Sequence, residues 1–189
     1  DVQKLFPDSF YENEFGTVGV KVEPFLPDGK TEREHDVIEV TTFRIESKYS
    51  DKRRPDEVVF AKTLEEDLAR RDFTMNAIAL KIRNSKSESG SESKTSGTGS
   101  YDIVDPYEGK KDIREKIIRT VGDPQARFDE DALRMMRAVR FYAELGFSIE
   151  EKTSDAIKKY SKNLEIIAQE RIKDEFSKII LSEHPSEGV

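Results

Sequence analysis

Three arginines at three-residue steps, Arg134, Arg137 and Arg140, follow a run of acids, Asp129, Glu130 and Asp131. An arginine side chain offers only hydrogen-bond donors and an ionised carboxylate only acceptors. Set side by side, Asp131 and Arg134 make a mixed acceptor–donor edge. Cytosine and adenine each present an exocyclic amine beside a ring-nitrogen acceptor, whereas uracil and guanine carry a carbonyl where that amine would be. Such a pair would accept C and A and refuse U and G. The other reading is a solvated helix face laced with ion pairs, with Glu130 one turn below Arg134. Spacing alone leaves both open.

These residues need an element to carry them. Pro124 to Phe147 holds no Gly or Pro inside it until Gly146, so the spacing predicts one helix with the acids in its first turn and a glycine stop. Leu133, Met136, Val139 and Ala143 would form its apolar stripe. Two more helices are expected after it, over Glu150–Tyr160 and Leu164–Leu181, the last with Ile167, Ile172, Phe176, Ile179 and Ile180 on its apolar face. From Pro124 onward the chain reads as helix only, which places a boundary near Gly122-Asp123.

Upstream the pattern is mixed. Val2–Phe6 reads as a helix end stopped by Pro7. Phe15–Val22 and His35–Arg44 alternate and are β-branched, so they predict a hairpin across the turn PFLPDGK. Glu39 sits on the second of these strands, either a surface glutamate or a carboxylate held on a rigid strand beside a site. Ser47–Pro55, with Lys52, Arg53 and Arg54, reads as a mobile loop. Glu57–Phe60 predicts a short strand. Thr63 with Glu66 spells a capping box, and the helix it opens is expected to run through Arg70 and Arg71. Ala77–Ile82 fits either the continuation of that helix or a buried strand. Residues 84–100 are Ser, Gly, Lys and Glu without an apolar residue, a flexible insert in what would otherwise be a hairpin ending at Tyr101–Val104. Asp105-Pro106 with Gly109 predicts a tight turn, and Ile113–Ile118 a helix.

Composition narrows the class. The 189 residues carry a net charge of -7, 35% hydrophobic and 38% charged residues, which argues against wrapping nucleic acid by bulk charge. There is no cysteine, hence no disulfide framework, and the two histidines, His35 and His184, are far apart. No apolar run reaches membrane-spanning length and no signal layout opens the chain, so a cytoplasmic protein is expected.

Taken in order, the segments resemble the class II tRNA nucleotidyltransferase and bacterial poly(A) polymerase family. EVTTFR (Glu39–Arg44) and SDKRRPDEVVF (Ser50–Phe60) resemble its strand and flexible loop. LEEDLARRDFTMNAIA (Leu64–Ala79) resembles its ribose-recognition motif, and DPYEGKKDI with IIRTVGDP the segment joining head to neck. RFDEDALRMMRAVRF resembles the Glu-Asp-x-x-Arg nucleotide-selecting motif, and QERIKDEFSKIIL (Gln169–Leu181) the last neck motif.

The resemblance implies an α+β fold: the remainder of a polymerase-β-like nucleotidyltransferase head over 1–121, a mixed sheet with helices, then a helical neck over 122–189. It implies that Asp131 and Arg134 read the base of CTP or ATP, with Glu130 orienting Arg134. Asp72 would contact the ribose, and Arg70, Arg71, Asn76 and Arg137 would belong to the nucleotide site, where guanidinium forks suit phosphate. Glu39 would be a third catalytic carboxylate. Phe73, Ala77, Ile78, Phe128 and Phe141 read as packing. The implied reaction is attack of an RNA 3′-hydroxyl, on tRNA or another RNA, at the α-phosphate of an NTP, assisted by two Mg²⁺. The Asp-x-Asp that would hold those ions is expected just upstream of residue 1. The chain is therefore expected to be an inactive fragment, with an unpaired edge where the sheet's first strands are lacking. CCA addition, A-tailing and a binding module without catalysis are the readings left to separate.

Overall fold

A computed structural model describes residues 2–11, 17–23, 35–46, 58–83 and 101–188. The turn PFLPDGK, the basic loop Ser47–Pro55 and the insert 84–100 lie outside the described residues. Among those described, residues up to Asp67 form one compact unit and residues from Leu68 onward another.

The first unit opens with a single helical turn, α1 (Val2–Leu5), and a three-stranded antiparallel sheet of β1 (Ser9–Tyr11), β2 (Val18–Val22) and β3 (Asp36–Val40) in that order. Val18 and Val20 are buried, and their cross-strand partners are Val40 and Ile38. Because the side-chain period of a strand is two, Gly19, Phe10 and Glu39 fall on the other face. Gly19 lies under the Phe10 ring, which a Cβ at this position would meet at 2.7 Å and push aside. The expected hairpin is present, but its second half is shorter than the sequence suggested. The alternating run stops at Val40, and Arg44 starts a separate strand, β4 (Arg44–Glu46), paired with β5 (Val58–Phe60). Arg44 is anchored at that break. Its guanidinium donates to the Thr17 and Thr41 hydroxyls at 2.6 Å each, and its amide donates to Asp67.

The capping box forms as read. Thr63 accepts the Glu66 amide, while the Glu66 carboxylate accepts the Thr63 and Lys62 amides and is held below the usual carboxylate range by those two bonds. Helix α2 (Leu64–Ala69) then stops before Arg70 rather than running through it. Phe73 is extended and bridges to Thr120, Thr74–Asn76 makes one 3₁₀ turn, and β6 (Ala79–Ile82) follows. So Ala77–Ile82 supplies a strand only from Ala79, and no residue of that strand is buried; the buried Ala77 precedes it. β6 pairs antiparallel with β7 (Tyr101–Val104) across the insert, and Arg83 pairs with Asp102 at the hairpin end.

Asp105 closes the next turn by accepting the Gly109 and Lys110 amides. Helix α3 (Gly109–Glu115) ends at Lys116, whose φ of 56° turns the chain into β8 (Ile117–Ile118). The helix expected over Ile113–Ile118 is thus half helix, half strand. Gly109 is packed against the 3₁₀ turn so closely that a Cβ would lie 2.2 Å from the Thr74 carbonyl oxygen. Gly109→Ala must therefore displace backbone, and is expected to cost about 1–3 kcal/mol or more in urea unfolding.

The arginine region is two helices, not one. Asp123 caps α4 (Pro124–Glu130) by accepting the Ala126 amide, with Pro124 at the first position. Asp131 is extended, and α5 (Leu133–Leu145) starts two residues on. The Asp131 carboxylate accepts the Leu133 amide at 3.1 Å, so of the three acids it alone stands at the start of α5, while Asp129 and Glu130 finish α4. Gly146, at φ 62°, stops α5 as expected. The buried face also differs. It holds Leu133, Met135, Ala138 and Ala143, with Arg134 among them, while Met136 and Val139 are half-buried.

Beyond α5 the chain is not purely helical. β9 (Ser148–Ile149) pairs in parallel with β8 before α6 (Glu151–Tyr160). The helix expected over Leu164–Leu181 resolves into a 3₁₀ segment, Ser161–Ile166, and α7 (Gln169–Ile180). Ile167 and Ile179 are buried, but Phe176 and Ile180 are exposed, and Glu175 takes an inward place. Two clusters make the core of this unit. Phe128, Ala132, Leu133, Met135 and Ile167 form one, and Phe73, Ile118 and Ala138 the other, where Phe73 meets Phe141 edge-on at 5.8 Å. Phe73, Ala77 and Phe128 are wholly buried, in keeping with packing rather than chemistry.

Candidate functional site

Helix α5 carries three arginines, and none belongs to a simple solvated face. Each reaches a different partner. Arg134, 7% exposed, donates to Glu130 at 2.6 Å, to the carbonyl of Arg127 at 3.3 Å and to the carbonyl of Arg70 at 3.1 Å. Arg137 holds Asp72, with Nε 2.8 Å and Nη2 2.6 Å from the same carboxylate oxygen. Arg140 lies over the Phe141 ring at 4.4 Å and ion-pairs with the buried Glu175 of α7, the closest approach being 2.9 Å.

These contacts bring together residues that the sequence named separately. The segment Arg70-Arg71-Asp72 follows α2 and lies along α4 and α5. Asp72 is buried, and its second oxygen accepts the Phe73 amide and the Asn76 side-chain amide. Burial pushes its carboxyl up, but the Arg137 charge and these bonds outweigh burial and hold it below the usual carboxylate range. Arg70 is half-buried and Arg71 exposed.

Asp131 and Arg134 do not pair with each other. Asp131 is gripped by Arg171 of α7, at 2.7 and 3.3 Å, a fork that fixes both carboxylate oxygens. Arg134 is committed to Glu130 instead, the i,i+4 pair the sequence suggested. Glu39 lies in the other unit, exposed on β3 at the sheet's edge. Asp129-Glu130-Asp131 has an Asp-x-Asp spacing, but Asp129 is exposed at the end of α4 and Asp131 is taken by Arg171. Among the described residues no three acidic, histidine or cysteine side chains converge to hold a metal ion. The acidic side chains described do not fit a two-metal centre.

Sequence reading missed Arg127, Arg171 and Glu175. Arg171 and Glu175 sit in the last motif, and four-residue spacing on one helix face was the signal available for them. A second polar network also went unread. Arg119 joins the buried Asp112 to Glu150, Thr74 donates to Asp112 at 2.7 Å and Thr153 to Glu150 at 2.8 Å. It ties the 3₁₀ turn to α3, β8 and α6.

The family model described as the poly A polymerase head domain matches residues 2–119, more than half of the chain. The chain belongs to that family. A second model, described as a probable RNA- and SrmB-binding site of polymerase A, matches residues 146–189. Among curated relatives, the CCA-adding enzyme of Leuconostoc citreum is 47% identical over 154 residues, covering 82% of this chain and 34% of the relative. That of Bacillus cytotoxicus is 46% identical over 190 residues, covering 100% of this chain and 41% of the relative. Among solved structures, the Bacillus stearothermophilus CCA-adding enzyme in complex with CTP is 37% identical with a TM-score of 0.74, covering 100% of this chain and 38% of that one. The Thermotoga maritima CCA-adding enzyme complexed with tRNA is 25% identical with a TM-score of 0.66, covering 99% of this chain and 36% of that one. The chain thus spans about a third to two fifths of the length of these family members. The α+β architecture and the family resemblance read from the motifs are both borne out. Family members generally depend on a metal ion. No helix among the described residues is long and apolar enough to cross a membrane.

Proposed function

We propose that this chain carries the nucleotide-selecting part of a template-independent tRNA nucleotidyltransferase, a cytoplasmic enzyme that adds C and A to tRNA 3′ ends from CTP and ATP. The observation that carries the reading is the joining of two distant motifs: Arg137 holds Asp72, and Arg134 holds the Arg70 carbonyl. A base-reading pair and a ribose- and phosphate-binding segment have to be fixed to each other if one nucleotide is to engage both.

In this reading Asp131 accepts the exocyclic amine of C or A and Arg134 donates to the ring nitrogen beside it. Arg171 keeps Asp131 oriented, and its carboxylate has lone pairs left for an amine. Asp72, with Asn76, marks the ribose, and Arg70 and Arg71 flank the triphosphate. Residues 1–121 serve as head and 122–189 as neck, a division supported by the two family models matching 2–119 and 146–189. The RNA 3′-hydroxyl gives up its proton to solvent as its oxygen bonds to the α-phosphorus, the bond to the α–β bridging oxygen breaks, and pyrophosphate leaves. Mg²⁺ is the ion we assign to the family's metal requirement, since it favours oxygen ligands and phosphates. Glu39 is the carboxylate of this chain that we assign to the catalytic side.

The test supplies the intact protein with labelled CTP and ATP, Mg²⁺ and tRNA lacking its 3′ end. Growth by C, C, A and a stop is expected. A long A tail on many RNAs would reassign it as a poly(A) polymerase, and no incorporation by folded protein would leave a binding module.

A further inference from the structure

We propose that Arg127 is a positioning residue of the nucleotide-selecting site, a role that rests on the function proposed above. The two oxygens of Glu130 are divided between two guanidiniums: Oε1 lies 2.6 Å from Arg127 and Oε2 lies 2.6 Å from Arg134. Each of those guanidiniums then reaches a backbone carbonyl, Arg127 that of Ala69 at 3.0 Å and Arg134 that of Arg70 at 3.1 Å. One carboxylate therefore aims a two-pronged clamp at successive residues. Two positions on, Arg137 adds a third tie at Asp72. The clamp fixes the end of α2 and Arg70-Arg71-Asp72 against the base-reading helix.

The arrangement depends on a guanidinium at position 127. Its planar fork can bridge a carboxylate and a carbonyl at once, which the compact ammonium of lysine does poorly. The side chain is mostly buried, and its Nε–H is buried with no partner among the described residues. A buried donor without a partner costs stability, so packing alone does not account for arginine here. Residues 127, 130 and 134 follow at three- and four-residue steps, the spacing of neighbours on one helix face, so both guanidiniums reach Glu130. Across the break at Asp131, Arg134 also donates to the Arg127 carbonyl at 3.3 Å.

Arg127 touches no nucleotide in this scheme and acts through Glu130, Arg134 and the segment 69–72. Removing it should loosen base reading while leaving tRNA binding alone. The experiment uses the intact enzyme and its R127A and R127K variants, with kcat/KM for CTP and for UTP on tRNA lacking its 3′ end. Equilibrium binding of CTP and UTP is measured in parallel. The expected result for R127A is a loss of roughly tenfold in CTP-over-UTP preference with KM for tRNA unchanged. R127K, which keeps the charge but holds one partner at a time, should fall between. If R127A fails to fold, the intermediate loss in R127K carries the test. Wild-type selectivity in the folded variants, with only a lower melting temperature, overturns the proposal and leaves the function standing. A wild-type enzyme that binds CTP no better than UTP overturns both.

Discussion

Arg137→Ala is expected to destabilise the protein by about 3 kcal/mol at neutral pH, and by progressively less as the pH falls into the acid range. The cost comes from the partner left behind. Asp72 is 9% exposed, and with Arg137 gone its charge would keep only the Phe73 and Asn76 amides. Those two bonds, and the one-third exposure of the Arg137 side chain, place the cost at the low end for a broken buried pair. The pH dependence follows from the direction of the shift. The folded Asp72 carboxyl titrates below its unfolded value of about 3.9, so its stabilisation is fully present above that value and is lost as pH falls through the folded value. In the variant, burial acts with less opposition and the carboxyl titrates higher, so acid unfolding should begin at higher pH. Urea titrations of both proteins from pH 7 to pH 3 check this. An equal gap at both ends would mean that Arg137 stabilises through its own packing over the Phe141 ring, 5.5 Å from the guanidinium, rather than through Asp72.

Replacing Asp131 and Arg134 together by alanine in the intact enzyme should cost base selection far more than triphosphate affinity. A good bidentate base contact is worth about 1–3 kcal/mol of discrimination, so the preference for CTP over UTP should drop roughly tenfold to a hundredfold. The fold tolerates this change better than it would the loss of Glu130. Glu130 keeps Arg127 as partner when Arg134 goes, and Arg171, 28% exposed, can turn to water when Asp131 goes. Incorporation of all four nucleotides, measured singly, reads the result. Equal loss for all four would remove the base-reading role and return both residues to structural ion pairing.

The features legible in the sequence were local. The Thr63–Glu66 capping box, the glycine stop at Gly146, the β2–β3 hairpin and the Glu130–Arg134 pair each depend on residues close in the chain, or on a period that one element imposes. The family followed from the order of such segments. The tertiary structure decided where the charges go. Arg137 meets a residue 65 positions away, Arg134 a carbonyl 64 away and Arg171 a carboxylate 40 away. Periodicity cannot rank such partners, because any arginine on the right face suits any carboxylate. The break at Asp131 belongs to the same class. Helix propensity runs smoothly from Pro124 to Leu145, and the chain bends because the Asp131 carboxylate, held by Arg171, takes the Leu133 amide. For the same reason the apolar stripe was misplaced by a residue or two: with Arg134 and Glu175 drawn inward to their partners, Met136 and Phe176 were left nearer the surface.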